Sequence, residues 1–238
     1  MSLQSINKLS QPDCPYVDKD DPWSSHAQIK TWLTDLRPGT RVLDIGVATG
    51  TLGKQCTAAG LVMHGIEPHP AWAEVARPYY NDLLCGTLDV ASDTFLANHN
   101  VVVCADVLEH IADPEQALRR LLPLQLEGCQ FLVSVPNIAN IWIRLNLLIG
   151  RFDYTDRGIL DRTHLRFFTQ RSLQRMFASV GLQIVQLHVT PIPLNLIHPF
   201  FQQTALGRFV HAGLARLTRA LPTLLGYKFV VKAVTPRS

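Results

Sequence analysis

The sequence lacks several features that would assign it to a specialised class of protein. Its cysteines are odd in number and form no C-x-x-C pair: Cys14, Cys56, Cys85, Cys104 and Cys129. This spacing argues against a disulfide framework or a zinc site, and it fits a reducing compartment. No run of 18 or more apolar residues occurs without a charge, so we expect no membrane-spanning helix. The first ten residues contain no apolar signal core, so the sequence predicts a cytoplasmic protein.

Acidic residues are absent from the last third of the chain. Residues 162–238 contain ten of the 22 Lys and Arg residues and none of the 19 Asp and Glu residues. This end therefore carries a charge of +10, whereas residues 1–161 carry −7. A basic end suits an anionic partner, such as a phosphate group, a phospholipid surface or nucleic acid. The alternative is a solvated basic face that balances an acidic one.

Short apolar runs alternate with helical stretches over the first 135 residues. The composition, 47% hydrophobic and 17% charged, is that of a folded domain. The runs cover residues 41–45, 62–66, 101–105 and 131–135, and the helical stretches cover residues 52–59, 71–77 and 114–124. Strands that are apolar throughout and are separated by helices predict a parallel sheet covered on both faces.

The alternation breaks after residue 135. Residues 137–168 form a predicted cap segment, whose apolar run at 141–149 indicates core packing or a dimer face. The alternative is that Trp142 in this run roofs an apolar acceptor. Two further strands are predicted at 183–189 and 228–234. We therefore divide the chain into an N-terminal arm (1–23) and one domain (24–238).

A helical insert near residues 191–226 separates the last two predicted strands. Six apolar side chains fall on one helical face: Leu206, Phe209, Val210, Leu214, Leu217 and Leu221. Basic side chains lie mostly off this face. We expect the apolar face to pack on the chain's own sheet. The alternatives are a lid over the site, a homodimer contact, and peripheral membrane contact through a helix at residues 200–221.

Two features after the first two predicted strands indicate a nucleotide-type ligand. Gly46 and Gly50 lie in a loop that joins the first strand to a helix, and glycine there permits a tight turn close to a ligand. Glu67 ends the next strand, 21 residues after Gly46. In dinucleotide-binding folds an acid at this position binds the ribose hydroxyls.

The residues of this loop favour S-adenosylmethionine (SAM) over a nicotinamide cofactor. Compared with the dinucleotide pattern G-x-G-x-x-G, Ala48 stands in place of the second glycine and Thr51 in place of the third. Asp44 places a carboxylate just before the loop, where it would repel a pyrophosphate. A cofactor with a cationic amino-acid end and no phosphate suits that carboxylate better, so a nicotinamide oxidoreductase is the weaker hypothesis.

Several segments together resemble class I SAM-dependent methyltransferases. They are the loop 44–50, the acid Glu67, the run 105–111 followed by Asp113-Pro114, and the run 161–169. The sequence is most similar to the branch that contains ubiquinone-biosynthesis O-methyltransferases and proteins with the methyltransferase domain numbered 23. The resemblance does not extend to the insert near residues 191–226. It implies a Rossmann-like α/β fold, with a seven-stranded mostly parallel sheet, helices on both faces and an antiparallel last strand.

The resemblance also implies a cofactor site for SAM, whose product would be S-adenosylhomocysteine. Asp44, Gly46, Ala48 and Gly50 would lie at the methionine end, Glu67 at the ribose, Thr87, Leu88 and Asp89 at the adenine, and Ala105 and Asp106 beneath the cofactor. The sequence departs from the family pattern at Ala48, where glycine is common. It also departs at Gly86-Thr87, where Gly-Asp is common; Asp89 is the candidate substitute for that acid.

Two histidines are candidates for the base that an alcohol or phenol acceptor needs. His164 lies on a loop that we expect to overhang the cofactor, and the pKa of histidine suits proton removal near neutral pH. The alternative is that His164 only anchors the loop to Asp161 or to a carbonyl. His110 is the second candidate, and its alternative role is to shape the site. We expect no metal ion, because the sequence shows no tight ligand cluster.

The predicted function is SAM-dependent methyl transfer to an oxygen of a small-molecule, glycan or lipid-linked acceptor. Arg162 and Arg166 are candidates to hold an acidic group of the acceptor, unless they only face solvent. His26 on the first helix is a further candidate, unless it is an exposed helix residue. A catalytically inactive, cofactor-binding docking partner is an alternative. A nucleic-acid methyltransferase is disfavoured, because residues 105–108 replace the Asn-Pro-Pro-aromatic run that holds a flipped base.

Overall fold

The computed structural model describes residues 21–235, so Cys14 and most of the predicted arm lie outside the described residues. A seven-stranded sheet with strand order β3-β2-β1-β4-β5-β7-β6 forms its centre. The strands are β1 (Arg41–Ile45), β2 (Val62–Glu67), β3 (Asp82–Cys85), β4 (Val101–Ala105), β5 (Gln130–Pro136), β6 (Gln183–Thr190) and β7 (Lys228–Val234). β7 runs antiparallel to its neighbours β5 and β6, and the other pairings are parallel. The predicted fold class is confirmed.

Helices lie on both faces of this sheet. They are α1 (Ser25–Thr34), α2 (Thr51–Cys56), α3 (Pro70–Ala76), α4 (Asp93–Leu96), α5 (Pro114–Leu121), α6 (Ile141–Leu148), α7 (Gln170–Ser179), α8 (Leu194–Ile197), α9 (Phe200–Gln203), α10 (Ala205–Ala220) and α11 (Pro222–Leu225). The helices predicted at residues 52–59, 71–77 and 114–124 are all present. Each of them ends in a short 3₁₀ turn.

Side-chain caps explain where the principal helices begin. Ser24 Oγ accepts a hydrogen bond from the backbone N–H of Ala27 at the start of α1. Thr169 and Ser172 form a reciprocal capping box at the start of α7. Asp113 Oδ1 accepts from the backbone N–H of Gln116 at the start of α5. Each cap satisfies an amide that lacks a partner within its helix.

The apolar strands predicted a sheet that is buried on both faces, and β4 and β5 have this character. All five residues of β4 are buried, as are six of the seven in β5. One face packs against α5 and α7, and the fully buried Phe131, Phe177 and Phe229 lie on this side. The other face packs against α1, α2 and α3, around Ile29, Met63 and similar side chains. This double burial holds the carboxyl ends of the central strands in a fixed position.

β3 is the strand that hydrophobic periodicity missed; only the family resemblance implied it. It has four residues at the edge of the sheet, and only Leu83 among them is buried. An edge strand of this length presents no apolar run, because a single side chain enters the core.

The prediction for the apolar face of the insert is wrong. In α10 the buried residues are Gly207, His211, Ala215 and Thr218. Several large apolar side chains are exposed instead: Leu206, Phe209, Val210, Leu217 and Leu221. A Cβ at Gly207 would lie 2.1 Å from the carbonyl oxygen of Phe200, so α10 and α9 pack at a distance that only glycine allows. Because α9 and α10 lie this close together, α10 turns its smaller side chains inward.

For residues 141–149 we expected core packing or a dimer face, and the core-packing half of this expectation is wrong. α6 buries only Ile143, whereas Trp142 is 65% exposed and Leu148 is 81% exposed. The helix is anchored at its first turn, where the side chain of Asn140 donates to the carbonyl oxygen of Gly226. No helix among residues 21–235 is long and apolar enough to cross a membrane.

Candidate functional site

The site lies at the carboxyl ends of β1 and β4. The strand order reverses between these neighbours, because the chain runs outward from β1 to β3 and then returns to β4. Ligands in open α/β sheets bind in the crevice at such a point. The loop that follows β1 and the turn that follows β4 therefore form the two sides of the candidate site.

The loop after β1 depends on a left-handed backbone. Gly46, Ala48 and Gly50 have φ angles of 76°, 49° and 81°. A Cβ at Gly46 would lie 2.7 Å from a methyl carbon of Val107, and one at Gly50 would lie 2.9 Å from the Cα of Ala76. Glycine is therefore required at both positions. Ala48 adopts the left-handed conformation at a cost of about 1–2 kcal/mol.

Glu67 offsets this strain by binding the loop. Its Oε2 accepts a hydrogen bond of 2.7 Å from the backbone N–H of Ala48, and its Oε1 accepts one of 2.9 Å from the N–H of His69. Burial raises the pKa of Glu67, and the two amides oppose that shift. Glu67 therefore joins the end of β2 to the loop at the edge of the crevice.

Asp44 lies behind the loop, in contact with Tyr80. The Tyr80 hydroxyl donates a 2.6 Å hydrogen bond to Asp44 Oδ2 and accepts one of 3.2 Å from the backbone N–H of Gly53. Asp44 is 2% exposed, and burial raises its pKa to about 7 although the Tyr80 bond lowers it. The structure thus gives Asp44 a partner that the sequence did not reveal.

The turn after β4 begins with a buried ion pair. Asp106 has a φ of 60°, and its carboxylate accepts hydrogen bonds from Lys228 Nζ and, at 2.8 Å, from Ser134 Oγ. Burial alone would raise the pKa of Asp106, but Lys228 and the nearby His26 lower it below its usual value. Asp106 is therefore an anion held at the floor of the site. His26 of α1 is half-buried beside this carboxylate rather than fully exposed.

Glu109, His110 and His164 meet beside the turn that follows β4. The rings of His110 and His164 lie 4.8 Å apart between centroids. Glu109 is 1% exposed, and burial together with Asp106 raises its pKa well above the usual range. Burial lowers the pKa of His164, so this imidazole is neutral near pH 7. Sequence analysis selected both histidines but not their proximity to a buried carboxyl group.

The anchoring role that we considered for His164 is present. Its Nδ1 lies 3.0 Å from the carbonyl oxygen of Ile159, and its backbone N–H donates to the carbonyl of Asp161. Asp161 in turn accepts from the hydroxyl and the N–H of Thr163. These contacts fix the loop and leave Nε2 of His164 as the nitrogen that can act on a ligand.

The two arginines of this loop already have partners. Arg162 pairs with Asp156 at 2.9 Å, and both side chains are exposed. Arg166 donates from Nε to the carbonyl oxygen of Ala112 at 2.7 Å. An acidic acceptor would therefore compete with these contacts.

The residues predicted to border the adenine lie in a short turn after β3. Thr87 and Asp89 are exposed, and Leu88 is half-buried. The carbonyl oxygen of Leu88 accepts a 2.8 Å hydrogen bond from Arg120. This contact ties the turn to α5 and leaves the side chains of Thr87 and Asp89 available. Ala105, at the end of β4, is 9% exposed next to the floor of the site.

The residues of this edge fit SAM. Glu67 places a carboxyl group beside the β1 loop, which suits a ligand with hydroxyl groups and opposes a pyrophosphate. A family model described as a methyltransferase domain matches residues 25–187, more than half of the chain. The chain belongs to this methyltransferase family. The protein is a class I SAM-dependent methyltransferase, and SAM is its cofactor.

Relatives and solved structures agree with this family. A ubiquinone biosynthesis O-methyltransferase of Aromatoleum aromaticum is 27% identical over 183 residues, which cover 73% of this chain and 77% of the relative. A SAM-dependent methyltransferase from Archaeoglobus fulgidus has a TM-score of 0.56 at 18% identity, with 88% and 92% of the two chains covered. Magnesium protoporphyrin IX methyltransferase of Synechocystis, with bound SAH, has a TM-score of 0.57 at 16% identity, covering 89% and 82%.

Sequence reasoning missed three residues that shape the site. Tyr80 and Ser134 carry no motif signal, because each acts through a single hydroxyl group. Lys228 carried a weak signal, since it is a lysine at the start of the apolar strand β7. Its partner Asp106 lies 122 residues earlier in the chain, so only the pairing of β7 with β5 brings the two together.

We expect Tyr80→Phe to destabilise the protein more at pH 8 than at pH 5.5. At pH 8 the variant leaves an ionised, buried Asp44 without its hydroxyl donor, which costs about 1–3 kcal/mol of unfolding free energy. The folded pKa of Asp44, about 7, lies above its usual 3.8. Asp44 therefore favours the folded state most at low pH, and this contribution is lost as the pH rises through about 7. Urea unfolding at both pH values measures the difference.

Tyr79→Phe is the matched control, because the Tyr79 side chain is half-buried next to Tyr80 in the sequence. It should leave stability nearly unchanged at both pH values. Equal losses for the two variants, or a Tyr80→Phe loss that does not depend on pH, would contradict the role of the Tyr80 bond.

Proposed function

We propose that this methyltransferase acts on an oxygen of a small-molecule, glycan or lipid-linked acceptor. The observation that carries the proposal is the placement of two imidazoles, His110 and His164, beside the crevice at the end of β4. A hydroxyl acceptor must lose a proton, and a neutral imidazole is suited to accept it. The similarity to ubiquinone biosynthesis O-methyltransferases also supports oxygen as the methylated atom.

In the proposed mechanism, residues on one side of the crevice bind the cofactor and residues on the other side act on the acceptor. SAM supplies an electrophilic methyl group on a sulfonium sulfur when it is bound. We propose that Glu67 holds the ribose hydroxyls, that the loop around Gly46 and Gly50 holds the methionine end, and that Asp106 lies beneath. Positioning of this kind contributes most of the rate in an in-line transfer. His164, the favoured base, takes the acceptor proton at Nε2.

Acceptor recognition is the second part of the proposal. His26 lies near Asp106 at the floor of the site and would contact the acceptor there. Arg162 and Arg166 are exposed on the loop that carries His164, and an acidic group on the acceptor would draw them from their present partners. Thr87, Leu88 and Asp89 are proposed to border the adenine.

Glu67→Ala should weaken SAM binding by more than about 1 kcal/mol, or roughly fivefold in Kd, because the ribose hydroxyls lose their acceptor. Glu67→Gln, which keeps one carbonyl oxygen, should have an intermediate effect. Isothermal titration with SAM, S-adenosylhomocysteine and NADH measures these affinities. Glu74→Ala, an exposed acid of α3, is the control and should bind SAM normally. An unchanged affinity in Glu67→Ala would remove Glu67 from the ribose.

His164→Gln should slow methyl transfer by a factor of about 100 or more and leave SAM affinity unchanged. The assay follows S-adenosylhomocysteine formed from SAM with matched phenol, sugar-hydroxyl and amine acceptors. His188→Gln, on the exposed edge strand β6, is the control. Turnover of amines alone would contradict an oxygen acceptor, and normal turnover in His164→Gln would exclude His164 as the acting group.

We also propose that α10 rests on an anionic membrane surface. Its outer face exposes Leu206, Phe209, Val210 and Leu217, and Arg208 and Arg216 lie beside them. α10 itself contains no acidic residue that an anionic lipid would repel. α6 exposes further apolar side chains, and Asn140 at its start binds the carbonyl oxygens of Leu225 and Gly226 at the end of α11. Such contact would suit a lipid-linked acceptor.

The protein should co-sediment with vesicles that contain phosphatidylglycerol at low salt, and high salt should release it. A Phe209→Ser, Leu217→Ser double variant should lose this retention. Val90→Ser changes an equally exposed apolar residue outside the helix and should not. If the wild-type protein stays free of vesicles and instead forms dimers that the double variant abolishes, the face belongs to a homodimer and the membrane proposal is wrong.

A further inference from the structure

Two cationic side chains lie against tryptophan rings near α1. The guanidinium carbon of Arg219, in the last turn of α10, lies 5.1 Å from the ring centre of Trp23. Lys232 Nζ, on β7, lies 5.0 Å from the ring centre of Trp32 in α1. No carboxylate among residues 21–235 forms an ion pair with either cation. The aromatic rings therefore hold both charges in place without neutralising them.

A surface cavity of about 440 Å³ lies beside these cations. It is lined by Gln28, Leu187, His188, Val189, Arg219 and Pro222. The imidazole of His188 packs edge-on against Trp32, at 5.5 Å between ring centres, and it interacts electrostatically with both Arg219 and Lys232. Because His188 is part of the wall and lies close to both cations, the cavity has a positive electrostatic environment.

The charges around this cavity favour an anionic ligand. Burial, together with Arg219 and Lys232, lowers the pKa of His188, so this imidazole is uncharged near pH 7 and serves as wall. Asp35, exposed after α1, interacts with Lys232 only at longer range. The surrounding elements β6, α10, α11 and β7 all belong to residues 162–238, which contain no acidic residue. The basic end of the chain is thus concentrated at one cavity.

The two cations suit a phosphate group in particular. A guanidinium that lies against an aromatic ring keeps its planar set of N–H donors, and two of these can bind two phosphate oxygens at once. The ammonium group of Lys232 adds a second, more compact charge. The volume of the cavity is in the range of small-ligand sites, so the phosphate can carry an organic group.

We propose that this cavity is a second binding site of the protein, for a phosphate group carried by a small molecule or by a phospholipid. It is separate from the methyl-transfer crevice, because Lys232 lies four residues, or about 13 Å, after Lys228 along β7. A phospholipid source would connect the cavity with the exposed apolar face of α10, the helix that carries Arg219. The proposal does not depend on which acceptor the crevice binds.

The test is calorimetric titration of the full chain with glycerol 3-phosphate at constant ionic strength. We expect saturable binding of one molecule per chain. Arg219→Gln and Lys232→Gln should each weaken it at least about fivefold, because each removes a charged hydrogen-bond donor. Arg219→Lys keeps the charge without the planar donors and should have an intermediate effect. Arg175→Gln, which removes an exposed charge of α7 on the other face of the sheet, is the control.

Vesicles distinguish the two sources of the phosphate. If Arg219→Gln lowers retention by phosphatidylglycerol vesicles more than Arg175→Gln does, and glycerol 3-phosphate competes with the vesicles, the phosphate belongs to a lipid. Binding of glycerol 3-phosphate with unchanged vesicle retention in Arg219→Gln assigns the site to a soluble molecule. Both results support a phosphate site at the cavity.

Circular dichroism and SAM titration show that each variant is folded and binds its cofactor normally. A result of this kind separates the cavity from the methyl-transfer crevice, whatever acceptor that crevice uses. The proposal is overturned if the wild-type chain binds neither glycerol 3-phosphate nor the vesicles. It is also overturned if Arg219→Gln and Lys232→Gln weaken binding no more than Arg175→Gln does.

Discussion

The ion pair between Asp106 and Lys228 holds together the part of the molecule that the proposed chemistry requires. It joins the end of β4 to the start of β7, and Ser134 adds β5 to the same contact. Both charged side chains are less than one-fifth exposed. Loss of one partner would leave a buried charge, at a cost of about 3–5 kcal/mol. The pair also fixes the left-handed backbone of Asp106, from which the turn to Glu109 and His110 continues.

The two sides of the crevice are stabilised by different means. On the cofactor side, backbone geometry dominates, since Gly46 and Gly50 permit close packing and Glu67 binds the strained amide of Ala48. On the side of β4, side chains from the turn after this strand and from the loop before α7 meet, and the His110 ring contacts Thr163. Glu109 lies in the same turn, and its buried carboxyl oxygens have no hydrogen-bond partner among residues 21–235.

The insert shows how local packing can override a sequence pattern. The large apolar side chains of α10 predicted an inward face, yet the helix approaches α9 through Gly207 and buries small residues. The large apolar side chains of α10 therefore face outward, as those of α6 do. α6 follows β5 and α10 lies between β6 and β7, so both helices belong to the half of the sheet beyond β4. This arrangement connects the proposed acceptor chemistry with the proposed membrane contact.

The sequence by itself determined the sheet, its cofactor edge and the family. Continuous apolar runs can only be buried on both faces, and the spacing from the glycine loop to Glu67 reflects one strand-helix-strand unit. Tertiary structure alone decided which distant groups meet: Tyr80 with Asp44, Lys228 with Asp106, and His164 with Glu109. It also decided which face of α10 is buried. Local patterns record periodicity and turns, whereas these contacts depend on strand pairing and on how closely backbones approach, which no short stretch of sequence encodes.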